Sequence, residues 1–100
     1  MTIDVQELKQ KLDAGDDFLL LDVREPYEYQ DFNIGGQLVP LGVVAARASE
    51  FNDWRDREVV VHCKMGGRSA MAQQILMSNG FTNVRNLTGG VTAWKKAFGQ

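Results

Sequence analysis

An α/β domain, built on a parallel sheet with helices over both faces, is what this sequence predicts. Phe18-Leu19-Leu20-Leu21 and Glu58-Val59-Val60-Val61-His62 are short, dominated by apolar residues and without alternation, as strands buried on both faces read. Segments with helical punctuation separate them, and parallel strands need crossovers that lay such helices on the sheet. One hundred residues with 44% hydrophobic content suit a single core that buries roughly two-thirds of its unfolded surface, so residues 1–100 read as one domain.

The elements follow in order. Asp4 and Glu7 have the spacing of a capping box, and Val5, Leu8 and Leu12 recur at helical period until Gly15 ends the segment. The strand Phe18 to Leu21 leads into Asp22, and Glu25-Pro26 opens a short helix with proline at a tolerated first-turn position. Residues 33–42 are irregular, punctuated by Gly35-Gly36, Pro40 and Gly42 around a short strand at Gln37 to Val39. A helix is expected over Val44 to Asn52, a strand over Glu58 to His62, and a helix from Ser69 to Asn79 closed by Gly80. Val84 to Leu87 is a further strand, and Gly89 to Phe98 the last helix.

Composition narrows the function classes. Eleven basic against thirteen acidic side chains give a formal charge of −2, which supplies no field for nucleic acid or an anionic membrane. With one cysteine and one histidine the chain has neither an intrachain disulfide nor the ligand clusters of a zinc or iron–sulfur site, so no metal or cofactor is expected. Cys63 reads as a free thiol in a reducing compartment, and the apolar runs are too short for a signal core or a membrane span. Cytoplasmic location is the expectation.

The chemistry concentrates in His62-Cys63-Lys64-Met65-Gly66-Gly67-Arg68-Ser69, at a strand-to-helix junction. Sheets of this kind bind ligands at the carboxyl ends of their strands. A thiol is nucleophilic as thiolate, which a helix N-terminus and nearby cations favour. If Ser69 caps the helix, residues 64–68 wrap over the sulfur with amides inward, and Gly66 and Gly67 supply the positive φ such a nest requires. Arg68 offers a planar fork for an oxyanion, Lys64 a mobile point charge, and Met65 a residue at the mouth. A lone free cysteine is more commonly a small buried hydrophobe, but such a cysteine needs no glycine pair and cation after it. His62 precedes Cys63 on a strand, where neighbours point to opposite faces, so it reads as structural rather than as a general base.

Three segments together resemble the rhodanese family of single-domain sulfurtransferases. They are Leu20-Leu21-Asp22-Val23-Arg24-Glu25-Pro26-Tyr27-Glu28-Tyr29, the loop Cys63 to Ser69, and Asn86-Leu87-Thr88-Gly89-Gly90-Val91-Thr92-Ala93-Trp94. The resemblance spans nearly the whole chain. It implies a five-stranded parallel sheet, Cys63 as the persulfide-carrying nucleophile, and residues 64–69 as its anion cradle. It implies supporting roles for Asp22 and Arg24, which usually hold the active loop, and fold-determining roles for Gly89, Gly90 and Trp94. Family members commonly carry histidine where this chain has Asn33, whose amide can still hydrogen-bond locally. The stretch Asn33-Ile34-Gly35-Gly36 with Val39-Pro40-Leu41-Gly42 is similar to rhodanese domains fused behind adenylyltransferases that activate sulfur carriers.

Three functions compete. The first moves sulfane sulfur from thiosulfate or a persulfide, through Cys63, to a thiol, cyanide or a sulfur-carrier protein. The second is a cysteine-dependent phosphatase or arsenate reductase, whose loops place five residues between cysteine and arginine where this chain has four. Within the superfamily, the resemblance implies, the shorter loop goes with sulfur. Phosphate ester hydrolysis also needs a proton donor, and no aspartate adjoins the loop in sequence. The third is a non-catalytic binding module, a class that typically lacks the cysteine or the loop.

Overall fold

A computed structural model describes residues 1–99. Five strands, β1 (Thr2–Ile3), β2 (Leu19–Asp22), β3 (Gln37–Leu38), β4 (Val59–His62) and β5 (Val84–Leu87), form one parallel sheet in the order β1-β5-β4-β2-β3. Five helices cover it: α1 (Val5–Ala14), α2 (Pro26–Asp31), α3 (Val44–Arg47), α4 (Gly67–Ser78) and α5 (Gly90–Phe98). The α/β architecture with helices on both faces is as the sequence predicts. Among the described residues no helix is long and apolar enough to cross a membrane.

The two cores follow strand parity. Leu19, Leu21 and Val23 with Val59, Val61 and Cys63 face one side, where Ala72 and Leu76 of α4 and Val44 of α3 pack on them. Leu20 and Val60 face the other, against Val5 and Leu8 of α1 and against Ala93 and Trp94 of α5. Trp94 is half-buried and meets Phe98 edge-on at 4.7 Å, whereas Leu12, expected on the α1 stripe, lies at the solvent edge with 36% exposure.

Several boundaries differ from expectation. β1 went unforeseen because two residues carry no period; only pairing of Thr2 with Asn86 and Ile3 with Leu87 makes it a strand. The helix expected over Val44 to Asn52 is four α-helical residues followed by a 3₁₀ segment, kinked at Phe51 (φ −113°, ψ 28°). Val44, Ala48 and Phe51 are all buried, so core packing there does not require a continuous helix. Asp4 caps α1 by accepting from the Glu7 amide at 2.8 Å, but the Glu7 side chain leaves the box to pair with Arg85. A complete box forms instead at α2, where Glu25 and Glu28 cap each other. Asn33 does bond locally, donating to Tyr29 O and accepting from the Gly35 amide.

α4 begins at Gly67, two residues earlier than expected, with Gly66 as its N-cap at φ +116°. Ser69 therefore does not cap the helix. Gly67 is already helical and not among the positive-φ glycines, so the turn rests on Gly66 alone.

Candidate active site

Cys63 follows β4 directly and is 1% exposed at the base of the loop. Three donors converge on its sulfur: the Gly66 amide at 3.0 Å, the Ser69 amide at 3.4 Å and the Ser69 hydroxyl at 3.3 Å. Burial pushes the thiol up, but the Ser69 hydroxyl and the amides of Ser69, Gly66 and Met65 outweigh it, and the net effect is a lowered pKa. The amino end of the twelve-residue α4 adds its partial positive charge.

Ser69 thus acts from inside the helix's first turn. Its one hydroxyl proton has three acceptors within reach, Cys63 Sγ, Gly66 O at 3.3 Å and Asn86 Oδ1 at 2.6 Å. Asn86 in turn donates to Gly66 O at 3.2 Å, so a polar residue of β5 steadies the turn over the sulfur.

The last helix braces the loop from the other side. Val91 N–H donates to Cys63 O and Thr92 N–H to Lys64 O, each at 2.9 Å. Gly90 makes this approach possible. A Cβ there would stand 2.4 Å from Cys63 O and 2.6 Å from Lys64 O, closer than atoms allow. The glycine pair therefore does more than turn the chain, since Gly90 lets α5 hold the backbone of the loop.

The cations are arranged differently from expectation. Arg68 is engaged by Glu28 of α2, its Nη1 and Nη2 donating to the two carboxylate oxygens at 2.7 and 2.9 Å. That pairing holds the Glu28 carboxyl at about 2 and raises Arg68 further above its ordinary value. Lys64 is exposed and lines a cleft of about 540 Å³ with Arg24, Tyr27, Glu28, Asp31 and Lys95; Met65, 67% exposed, sits in the loop itself.

Asp22 and Arg24 do not hydrogen-bond to the loop. Buried Arg24 donates through Nε and Nη2 to Asp22, and through Nη2 to Phe32 O, the C-cap of α2, at 2.6 Å. Their hold on the site runs through α2, which carries Glu28. His62 pairs in register with Asp22, and its Nε2 lies 3.8 Å from Asp22 Oδ2. Neither ring nitrogen has a hydrogen-bond partner among the described residues, and burial, the largest influence, lowers its pKa. It lies on the opposite face of the sheet from Cys63, as the alternation of β4 requires.

Sequence reading missed Glu28, Asn86 and Asp31. Glu28 is 40 positions from Arg68, and its only local signal was the three-residue spacing to Glu25. Asn86 carried a signal, a polar residue within a buried strand. Asp31 lines the cleft that Lys64 also lines, so a carboxylate from a distant segment stands beside the loop.

The profile of the family described as rhodanese-like domain matches residues 4–97. A sulfurtransferase of Allochromatium vinosum is 39% identical over 95 residues, which cover 94% of this chain and 87% of that protein. The probable adenylyltransferase/sulfurtransferase MoeZ of Mycobacterium tuberculosis is 38% identical over 96 residues, covering 95% of this chain. The chain spans only 24% of MoeZ's length. Among solved structures, the rhodanese-like domain of the Anabaena protein Alr3790 superposes with a TM-score of 0.86 at 32% identity, over 98% of this chain and 75% of that one.

Proposed function

This chain belongs to the rhodanese-like domain family, and we propose that it is a sulfurtransferase in which Cys63 carries sulfane sulfur as a persulfide. The observation that supports this most directly is the convergence of the Gly66 amide, the Ser69 amide and the Ser69 hydroxyl on Cys63 Sγ. These donors stabilise an anion on the sulfur and remain to hold one on a second sulfur bonded to it.

The Cys63 thiolate attacks the outer sulfur of thiosulfate, the S–S bond of the donor breaks, and sulfite leaves with the electron pair. Cys63 is then a persulfide anion, and total charge is conserved. An acceptor thiolate attacks the terminal sulfur, forms its own persulfide and returns Cys63 as thiolate. Sulfite and thiolate are competent leaving groups, so no general acid is required and a buried, structural His62 is consistent with the chemistry. A persulfide donor enters by the same displacement.

Lys64, Met65, Gly66, Gly67, Arg68 and Ser69 form the binding loop in this reading, with Asp22 and Arg24 in support through α2. Residues 1–100 make one such domain, in a reducing compartment such as the cytoplasm. A protein donor, or a sulfur-carrier acceptor of the kind adenylyltransferases activate, is the expected macromolecular partner.

Thiosulfate treatment followed by mass spectrometry tests this. A gain of one sulfur atom, lost on cyanide addition and absent in Cys63→Ser, is expected. No adduct from either thiosulfate or a persulfide donor would refute it. The phosphatase reading has one observation in its favour, Asp31 on the wall of the cleft. Hydrolysis of an aryl phosphate that depends on both Cys63 and Asp31, with no sulfur adduct, would establish it instead.

A further inference from the structure

Arg68 has the geometry to bind a doubly charged anion, and it already holds a carboxylate. We infer that Glu28 sets the donor preference of the Cys63 site: by occupying the Arg68 fork it disfavours dianionic donors such as thiosulfate and favours singly charged persulfides. The inference rests on the reading of Cys63 as a sulfur carrier and names a specificity-determining residue for that reaction.

The pair is fork to fork, the strongest arrangement of these two groups, so both carboxylate oxygens are committed to Arg68. Glu28 is also the better anchored partner. Its Oε1 accepts from the Glu25 amide at 3.0 Å, and its side chain is 14% exposed against 35% for Arg68. The far end of α2 is fixed by Arg24, whose own charge is matched by buried Asp22. An incoming anion therefore does not find a loose carboxylate to push aside.

Charge decides the rest. By pairing with Arg68, Glu28 leaves the exposed Lys64 as the loop cation without a carboxylate partner among the described residues. The Coulomb attraction of a donor to the cradle scales with the donor's charge, so withdrawing the Arg68 charge costs a dianion about twice what it costs a monoanion. Glu28 acts through Arg68 and need not touch the transferred sulfur, so it is a positioning residue.

Glu28→Gln isolates this role. The amide oxygen can still accept from the Glu25 amide and cap α2, while the charge facing Arg68 is gone. Alkylation of Cys63 by anionic iodoacetate and by neutral iodoacetamide reads the field without any sulfur transfer. The iodoacetate-to-iodoacetamide rate ratio is expected to rise about tenfold in Glu28→Gln, the size of one screened charge contact near a surface. The kcat/KM ratio of thiosulfate to a singly charged alkyl persulfide should rise by a similar factor. In an Arg68→Ala background the effect of Glu28→Gln on both ratios should be smaller than in wild type, because no fork is left to release, and Glu28→Asp should fall between wild type and Glu28→Gln.

Equal changes for both alkylating reagents, or a ratio shift as large without Arg68 as with it, would overturn the inference. Should Glu28→Gln fail to fold, Glu28→Asp carries the same comparison, and an unshifted ratio there overturns it too. A shifted alkylation ratio with no sulfur adduct from any donor would support the field around Arg68 and refute the sulfurtransferase reading. The two failures are therefore distinguishable.

Discussion

Replacing Gly90 with alanine is expected to unseat the Cys63 loop. The new Cβ would lie 2.4 Å from Cys63 O and 2.6 Å from Lys64 O, and both are backbone atoms that no rotamer change can move away. Holding an L residue at φ +54° costs about 1–2 kcal/mol. Relieving the overlap must lengthen the bonds from Val91 and Thr92 amides to those same carbonyls, at about 1 kcal/mol each. Together these reach about 3–4 kcal/mol, a large part of the 5–15 kcal/mol that holds a typical domain. Gly67 is the matched control, being helical with nothing within 4 Å of an added Cβ. Gly67→Ala should be neutral or stabilising by about 0.5 kcal/mol. Urea unfolding at constant m compares the three proteins, and iodoacetamide alkylation across pH reports whether Cys63 keeps its lowered pKa. Gly90→Ala within about 1 kcal/mol of wild type, with unchanged thiol reactivity, would refute the account of α5 as a brace.

Further outcomes follow from the same geometry. Ser69→Ala should raise the pH midpoint of Cys63 alkylation, because a hydroxyl donating to a charged sulfur outcompetes one donating to a neutral amide; an unmoved midpoint would mean that its proton stays on Asn86. His62 has a pKa lowered by burial, so the unfolded chain binds the proton first. Stability is complete above about pH 6.5 and declines as pH falls below it, until the native imidazole also protonates. His62→Leu should flatten that part of a stability–pH curve measured by urea unfolding. Glu28, held at about 2, adds its own loss lower down, as pH falls from 4.5 toward 2, and Glu28→Gln should remove it. Asp22→Ala leaves buried Arg24 without its counter-ion and should cost about 3–5 kcal/mol in the same measurement. Lys9→Ala, which breaks an exposed pair with Asp13, should cost less than about 0.5 kcal/mol.

The residues that sequence alone could assign are those whose neighbours in the chain are also their neighbours in space. Val59-Val60-Val61 reads as a strand buried on both faces because the pattern is local, and His62 and Cys63 part to opposite faces by alternation alone. The loop from Cys63 to Ser69 is likewise a contiguous unit whose glycine, cation and thiol can be interpreted together. Its details were less legible: which glycine takes positive φ, and whether Ser69 or Gly66 caps α4, depend on where the helix starts, and that is settled by packing on β4 and β5.

Only the tertiary structure decided which groups meet across the sheet. The order β1-β5-β4-β2-β3 sets β4 between β5 and β2, and so brings α5 onto the Cys63 carbonyl, Asn86 onto Ser69, and Asp22 beside His62. The α2 helix that follows β2 puts Glu28 on Arg68. A cation's partner cannot be read from its own segment when every carboxylate within a side chain's reach is a candidate. Strand order removes all but one, and for Arg68 that one changes an open anion site into an occupied one.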